Sequence, residues 1–194
     1  GKILLDNTDI RNINLDSLRK NIGLIQQDIF LFATSIKENI AYGKENASLE
    51  DIIEAAKTAQ IHDYIQTLEK GYDTIIGERG TDLSGGQKQR IGIARAVILN
   101  PSILIMDDTT SSVDTETESL INNSLKSIMT ARTTLIISNR ISTVQKANKI
   151  FVMEKGEIIE EGLHQELLQN DGIYKKIYDL QLRPIETQSI ITSQ

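Results

Sequence analysis

The chain has 194 residues, 39% of them hydrophobic, and a formal net charge of −6, enough apolar content for one buried core with room for an inserted subdomain. Having no cysteine, it builds neither disulfides nor thiolate metal sites, a composition that fits the cytosol. An acidic balance without a basic block and only 4% aromatic residues leave little to grip a phosphate backbone or stack on bases, which argues against nucleic acid as a partner.

In chain order, "GKILLDNTDI" alternates as a short strand, with Gly1 and Asn7 as turn residues, and "NIGLIQQD" reads as a second strand. Residues 49–70 place Ile52, Ile53, Ala56, Ala59, Ile61 and Ile65 at helical spacing, which predicts a helical insert. "SGGQKQRIGIARAVIL" predicts a helix that opens at a Ser-Gly-Gly turn and stops at Asn100-Pro101. The runs "SILIMD", "TTLIIS" and "KIFVME" are short and rich in Ile, Leu and Val, with helix-length polar segments between the first two pairs of them; they predict buried parallel strands. A hairpin is expected around Gly156 and a helix from about His164 to Leu180. Residues 182–194 are polar and read as a frayed tail. No run approaches 18 apolar residues, and the first residues lack the basic and apolar regions of a signal peptide.

The segment "TDLSGGQKQRIGIARAVILNPSILIMDD" resembles the signature helix and Walker B strand of ABC-type ATPases. Its flanks, "IGLIQQDIFLFATSIKENIAYG" upstream and "SNRISTVQKANKIFVMEKGEIIEEGLHQELLQNDGIYKKIYDLQ" downstream, resemble the exporter subclass, in which the ATPase domain is fused behind a transmembrane domain. The resemblance covers residues 1–181. It implies an α/β fold, a truncated P-loop NTPase-like core built on a parallel sheet, with a helical subdomain inserted at about residues 41–100. It further implies ATP and Mg2+ as ligands, a second ABC ATPase domain as partner, a transmembrane domain upstream of Gly1, and a place at the cytoplasmic face of the membrane.

The residues support specific roles. Ser84, Gly85 and Gly86 open a helix, where free N–H groups and the positive dipole end favour a phosphate and glycines permit close approach. Alone this would read as an ordinary Ser cap; with Leu83 before and Gln87 after, it resembles the signature that touches the γ-phosphate held by the partner domain. Asp107 ends a strand, where a carboxylate reaches a hydrated magnesium ion. Gln27 matches the family's Q-loop glutamine, which contacts metal or water, although Gln26 stands where a proline is frequent. Glu78, Arg79 and Gly80 resemble the exporters' inter-domain coupling loop, and Asp114 in "SSVD" resembles the D-loop that crosses to the partner site.

Three departures bear on activity. First, "GxxxxGK[ST]" is absent from the sequence, so the phosphate loop and its lysine are expected upstream of Gly1. Second, Asp108 stands where the family has a catalytic glutamate. Aspartate is shorter by one methylene, about 1.5 Å; base catalysis contributes roughly 10²–10⁴-fold, and a misplacement near 1 Å costs on the order of 10²-fold. Third, Asn139 replaces the switch histidine; an amide donates but carries no positive charge. Neither remaining histidine substitutes for it, since His62 lies in the helical insert and His164 resembles a packing position. The resulting expectation is one half of a heterodimeric exporter with a weakened catalytic site (Asp108, Asn139, Gln27) and an intact signature. A non-catalytic pseudo-ATPase module and an importer ATPase subunit are the alternatives.

Overall fold

The computed structural model describes residues 1–77, 82–107, 125–126, 128–130 and 132–182. They divide into two units, Gly1–Ile137 and Ser138–Gln194. The first unit opens with a hairpin of two-residue strands, β1 (Leu4–Leu5) and β2 (Thr8–Asp9), paired Leu5 to Thr8. Asp6 and Asn7 turn it with φ of 46° and 65°, the left-handed pair that a two-residue turn requires and that Asp and Asn tolerate. The single strand expected here is therefore split. A short helix, α1 (Leu15–Lys20), follows, with Asn14 Oδ1 accepting from the amides of Asp16 and Ser17 at 3.0 and 3.1 Å.

The sheet of this unit is parallel, in the order β3 (Ile22–Ile25), β4 (Ile103–Asp107), β5 (Thr133–Ile137), with β4 and β5 parallel as "SILIMD" and "TTLIIS" predicted. Its two faces differ. Ile25, Leu104 and Met106 are buried on one; on that side Gly23 lets the end of the helix that precedes β4 approach, since a Cβ there would lie 2.7 Å from Pro101 Cγ and 3.1 Å from the Ala96 carbonyl. On the opposite face, the row Leu24, Ile105 and Leu135 crosses all three strands, with Leu24 50% and Leu135 54% exposed, and Ile137 nearby at 49%. β5 is thus a half-exposed strand rather than the buried one expected.

On the buried side lie α2 (Ile36–Ala41), α3 (Leu49–Thr58), α4 (His62–Thr67) and α5 (Gly85–Val97). α2, α3 and α5 begin with reciprocal capping boxes, Ser35 with Glu38, Ser48 with Asp51 and Ser84 with Gln87, each satisfying two otherwise unpaired amides. The helical insert expected over 49–70 contains two helices. Gln60 adopts φ of 57°, its amide bonds Lys57 O at 2.9 Å, and the Ile61 amide bonds Ala56 O at 2.9 Å. Those crossed bonds end a helix, and the break turns Ile61 into the core, where it is fully buried.

The second unit contains α6 (Ile141–Val144), β6 (Ile150–Glu154), β7 (Glu157–Gly162), α7 (His164–Gln169) and α8 (Ile173–Gln181). β6, expected to be parallel, pairs antiparallel with β7. Lys155 and Gly156, with φ of 50° and 85°, make the tight return around Gly156, and a two-residue return joins only antiparallel strands. The helix expected over 164–180 is interrupted at Asn170, whose ψ of 140° is extended. Ile141, Ile150, Val152, Leu167 and Tyr174 form this unit's core.

Candidate functional site

The parallel strands bring Gln27 and Asp107 to one edge of the sheet. Ile25 pairs with Met106, so the chain leaves β3 level with the end of β4, and Gln27 follows two residues later. Asp107 is half-buried between its neighbours and Gln27 is exposed. The C-terminal edge of a parallel sheet is where such folds bind ligands, in the crevice left where the connections leaving neighbouring strands diverge. A magnesium ion takes oxygen ligands, commonly one or two carboxylates with phosphate oxygens and water. The Asp107 carboxylate and the Gln27 amide oxygen fit that donor set. Among the described residues no group of three or more His, Cys, Asp or Glu side chains gathers as a metal cage, so phosphate and water oxygens would supply the remaining ligands.

Ser84 is the N-cap of α5. Its hydroxyl accepts from the Gln87 amide at 3.3 Å, and Gln87 Oε1 accepts from the Ser84 amide at 2.9 Å. Ser84 and Gly85 are exposed while Gly86 is buried, so this helix of 13 residues starts at the surface. The bland reading as a cap is thus realised, and it is compatible with the second: a capped, outward-facing helix start is also an anion-binding surface.

Sequence reasoning missed the group that holds the Gln27 segment. Arg95, three turns along α5, donates through Nη1 to Phe30 O at 2.8 Å, through Nε to Asn39 O at 2.9 Å and through Nη2 to Asn39 Oδ1 at 2.9 Å. Its guanidinium lies 5.6 Å from the ring centroids of both Phe32 and Tyr42. Burial pulls its pKa down, and the Tyr42 oxygen offsets part of that. Asn39 is fully buried; its Oδ1 also accepts from the Phe32 amide at 2.9 Å, and its Nδ2 donates to Phe32 O at 3.0 Å and Ser35 O at 3.1 Å. The available clues were an arginine inside the otherwise apolar "IGIARAV" and an asparagine on the inner side of a capped helix. An open cleft of about 310 Å³ runs along this contact, lined in part by Gln26, Ile29, Phe30, Gly92 and Arg95.

In the second unit Asn139 is exposed, and its loop is pinned by Gln181 at the end of α8. Gln181 Nε2 donates to Asn139 O at 2.8 Å, and its Oε1 accepts from the Ile141 amide at 3.0 Å. His164 is a packing residue as expected, with Nδ1 2.8 Å from the Tyr174 hydroxyl. His62 does the same in the first unit, 2.9 Å from the hydroxyl of Tyr72, whose phenol burial pushes up to about 12. Asp108, Asp114, Glu78, Arg79 and Gly80 lie outside the described residues.

A three-stranded parallel sheet with a glutamine and an acid at its C-terminal edge, and a glycine-opened helix packed on its inner face, defines a nucleotide-binding α/β domain. The chain belongs to the ABC transporter family, whose profile matches residues 1–111, and it is an ATP-binding domain of that family. It is 55% identical over 186 residues to the ABC transporter ATP-binding protein YknU of Bacillus subtilis, covering 96% of this chain and 32% of that protein. It is 50% identical over 183 residues to the ATP-dependent lipid A-core flippase of Syntrophus aciditrophicus, covering 94% and 30%. A bacterial Atm1-family ABC exporter with ATP bound superposes with a TM-score of 0.87 at 44% identity, covering 92% of this chain and 31% of that one. The chain therefore spans about a third of the length of these relatives. No described helix is long and apolar enough to cross a membrane.

Proposed function

We propose that this chain is the ATP-binding domain of an ABC exporter, coupling ATP binding and hydrolysis to export through a transmembrane domain, at the cytoplasmic face of the membrane. The observation that carries the finer reading is an asymmetry: the Ser84-Gly85-Gly86 helix start is intact and outward-facing, whereas Asp108 and Asn139 replace a longer acid and a chargeable ring. In a head-to-tail pair of domains the signature serves the nucleotide held by the partner. Asp107, Gln27, Asp108 and Asn139 serve the nucleotide held by this domain. Its own site is thus weakened, and the partner, a different ABC ATPase domain, carries most of the hydrolysis. Glu78, Arg79, Gly80 and Asp114 belong to the surfaces that communicate between domains.

Asp107 and Gln27 would hold the magnesium ion that screens the phosphates, and the Ser84 hydroxyl with the amides of Gly85 and Gly86 would receive the γ-phosphate of the partner's nucleotide. The exposed Leu24 and Leu135, in one row with half-buried Ile105, support a phosphate-loop strand and helix as the element that covers this face. The isolated 194 residues, lacking that loop's amides and lysine, should bind ATP far more weakly than the parent protein.

Steady-state ATPase assays on the full-length protein assembled with its partner test the asymmetry. Ser84→Ala should lower total turnover strongly; losing one oriented phosphate donor costs about 10²–10³-fold where it stabilises developing charge, an upper guide. Asp108→Asn should change total turnover far less. If the two variants are equally damaging, Asp108 is a working base and the site is not weakened.

A further inference from the structure

The helix that Ser84 opens grips the segment after β3 residue by residue along one of its sides. Gln89, Gly92 and Arg95 follow at i, i+3 and i+6, a spacing that keeps them on neighbouring turns of a single stripe. Gln89 Nε2 donates to the Gln26 carbonyl at 3.5 Å. Gly92 lies so close to Ile29 that a Cβ there would stand 2.6 Å from Ile29 Cδ1 and 3.0 Å from its Cγ1. Arg95 Nη1 takes the Phe30 carbonyl at 2.8 Å. The far end of the grip is locked in turn, because Asn39 Oδ1 accepts from both Arg95 and the Phe32 amide. Gln27 sits within this run of contacts, one residue after the first and two before the second, so its backbone follows the helix.

We propose that this stripe is a positioning device: α5 transmits the placement of its first turn at Ser84 to Gln27, with Arg95 as the principal positioning residue. Eleven residues of helix, about 16 Å, separate Ser84 from Arg95, and an α-helix moves over that length as one body. The inference rests on the reading of Ser84 as the contact to a partner's nucleotide and of Gln27 as a residue of the chain's own site. It adds that a phosphate engaged at Ser84 resets Gln27, so one domain's site reads the occupancy of the other through this chain. Neither Gln89 nor Arg95 touches nucleotide in this scheme. Both act through the 26–30 backbone.

Hydrogen exchange on the full-length protein with its partner, with and without magnesium and the non-hydrolysable analogue adenylyl-imidodiphosphate, tests this without depending on hydrolysis, Asp107→Asn being present throughout so that this domain's own magnesium site does not order Gln27 directly. In that background the analogue should slow exchange in both peptides 84–92 and 26–32. Arg95→Met should keep the slowing at 84–92 and lose that at 26–32, a change on the order of tenfold for a severed hydrogen-bonded contact. Gly92→Ala should do the same by collision, and adding Ile29→Ala, which removes the colliding atoms, should restore the response; general destabilisation predicts no such rescue. Persistent slowing at 26–32 in Arg95→Met and Gly92→Ala, or a failed rescue, overturns the inference while leaving the function intact. Absence of slowing at 84–92 in that background without a further change overturns the reading of Ser84 and the inference with it.

Discussion

Replacing Asn39 by Ala removes the most heavily bonded buried polar side chain among the described residues of the first unit. Four hydrogen bonds are lost: from the Phe32 amide and Arg95 Nη2 to Oδ1, and from Nδ2 to the carbonyls of Phe32 and Ser35. The Ser35 carbonyl retains the Asn39 amide at 3.0 Å, so its loss is small. The two donors are left facing an alanine methyl, and each unsatisfied buried donor costs about 1–3 kcal/mol. Partial solvent access along the Phe32 segment keeps the total near the lower part of that range for two groups, about 3 kcal/mol. For a chain of this size, a urea m-value of about 2–3 kcal/mol/M converts this to a midpoint shift of about 1 M. Urea denaturation followed by circular dichroism measures it. Ser48→Ala, which removes the exposed cap hydroxyl of α3 at 3.1 Å from the Asp51 amide, should cost about 1 kcal/mol and sets the scale. If Asn39→Ala shifts the midpoint no more than Ser48→Ala does, the Asn39 network does not hold the helices to the 30–32 segment.

Glu38 accepts from the Thr34 and Ser35 hydroxyls and the Ser35 amide, which holds its carboxyl at about 2 against an ordinary 4.5. A depressed acid contributes stability above its unfolded value and loses it as pH falls, so the loss should run from about pH 4.5 to about pH 2. Glu38→Gln should flatten thermal-melting temperature against pH in that window, and an unchanged slope would refute the assignment. Gln181→Leu should speed amide exchange at Ile141 by on the order of tenfold, measured by NMR, while Val152 in the neighbouring hairpin stays unchanged; equal exchange at Ile141 would mean that Gln181 does not pin the loop carrying Asn139. In the full-length protein with the partner site disabled, Asp108→Glu with Asn139→His should raise ATP turnover by more than the two single changes combined. No gain would show that another group limits hydrolysis at this site.

What was legible from the residues followed from local patterns with one reading. The runs at β3, β4 and β5 are short, branched and bounded, and Ser84 with two glycines marks a helix start, so the sheet edge with Asp107 and Gln27 was within reach. The direction of β6 was not, because an apolar run reads alike in either orientation and only the return at Lys155 and Gly156 decides it. The break at Gln60 was hidden because no glycine or proline announces it; burial of Ile61 forces the left-handed residue. Arg95 and Asn39 are 56 residues apart in sequence, and a hydrogen bond between them exists only once α5 lies on α2. Periodicity contains no term for such a meeting.

Gly92 and Ile29 together fill a single volume, with nothing to spare between them. A larger residue at 92 is admissible only when 29 is small, and a small residue at 29 leaves a hole unless 92 is larger. Each single exchange passes through a poorer intermediate, so in the descent of this sequence the pair should be replaced together or not at all. That ties the history of the signature helix to the history of a loop more than sixty residues earlier in the chain.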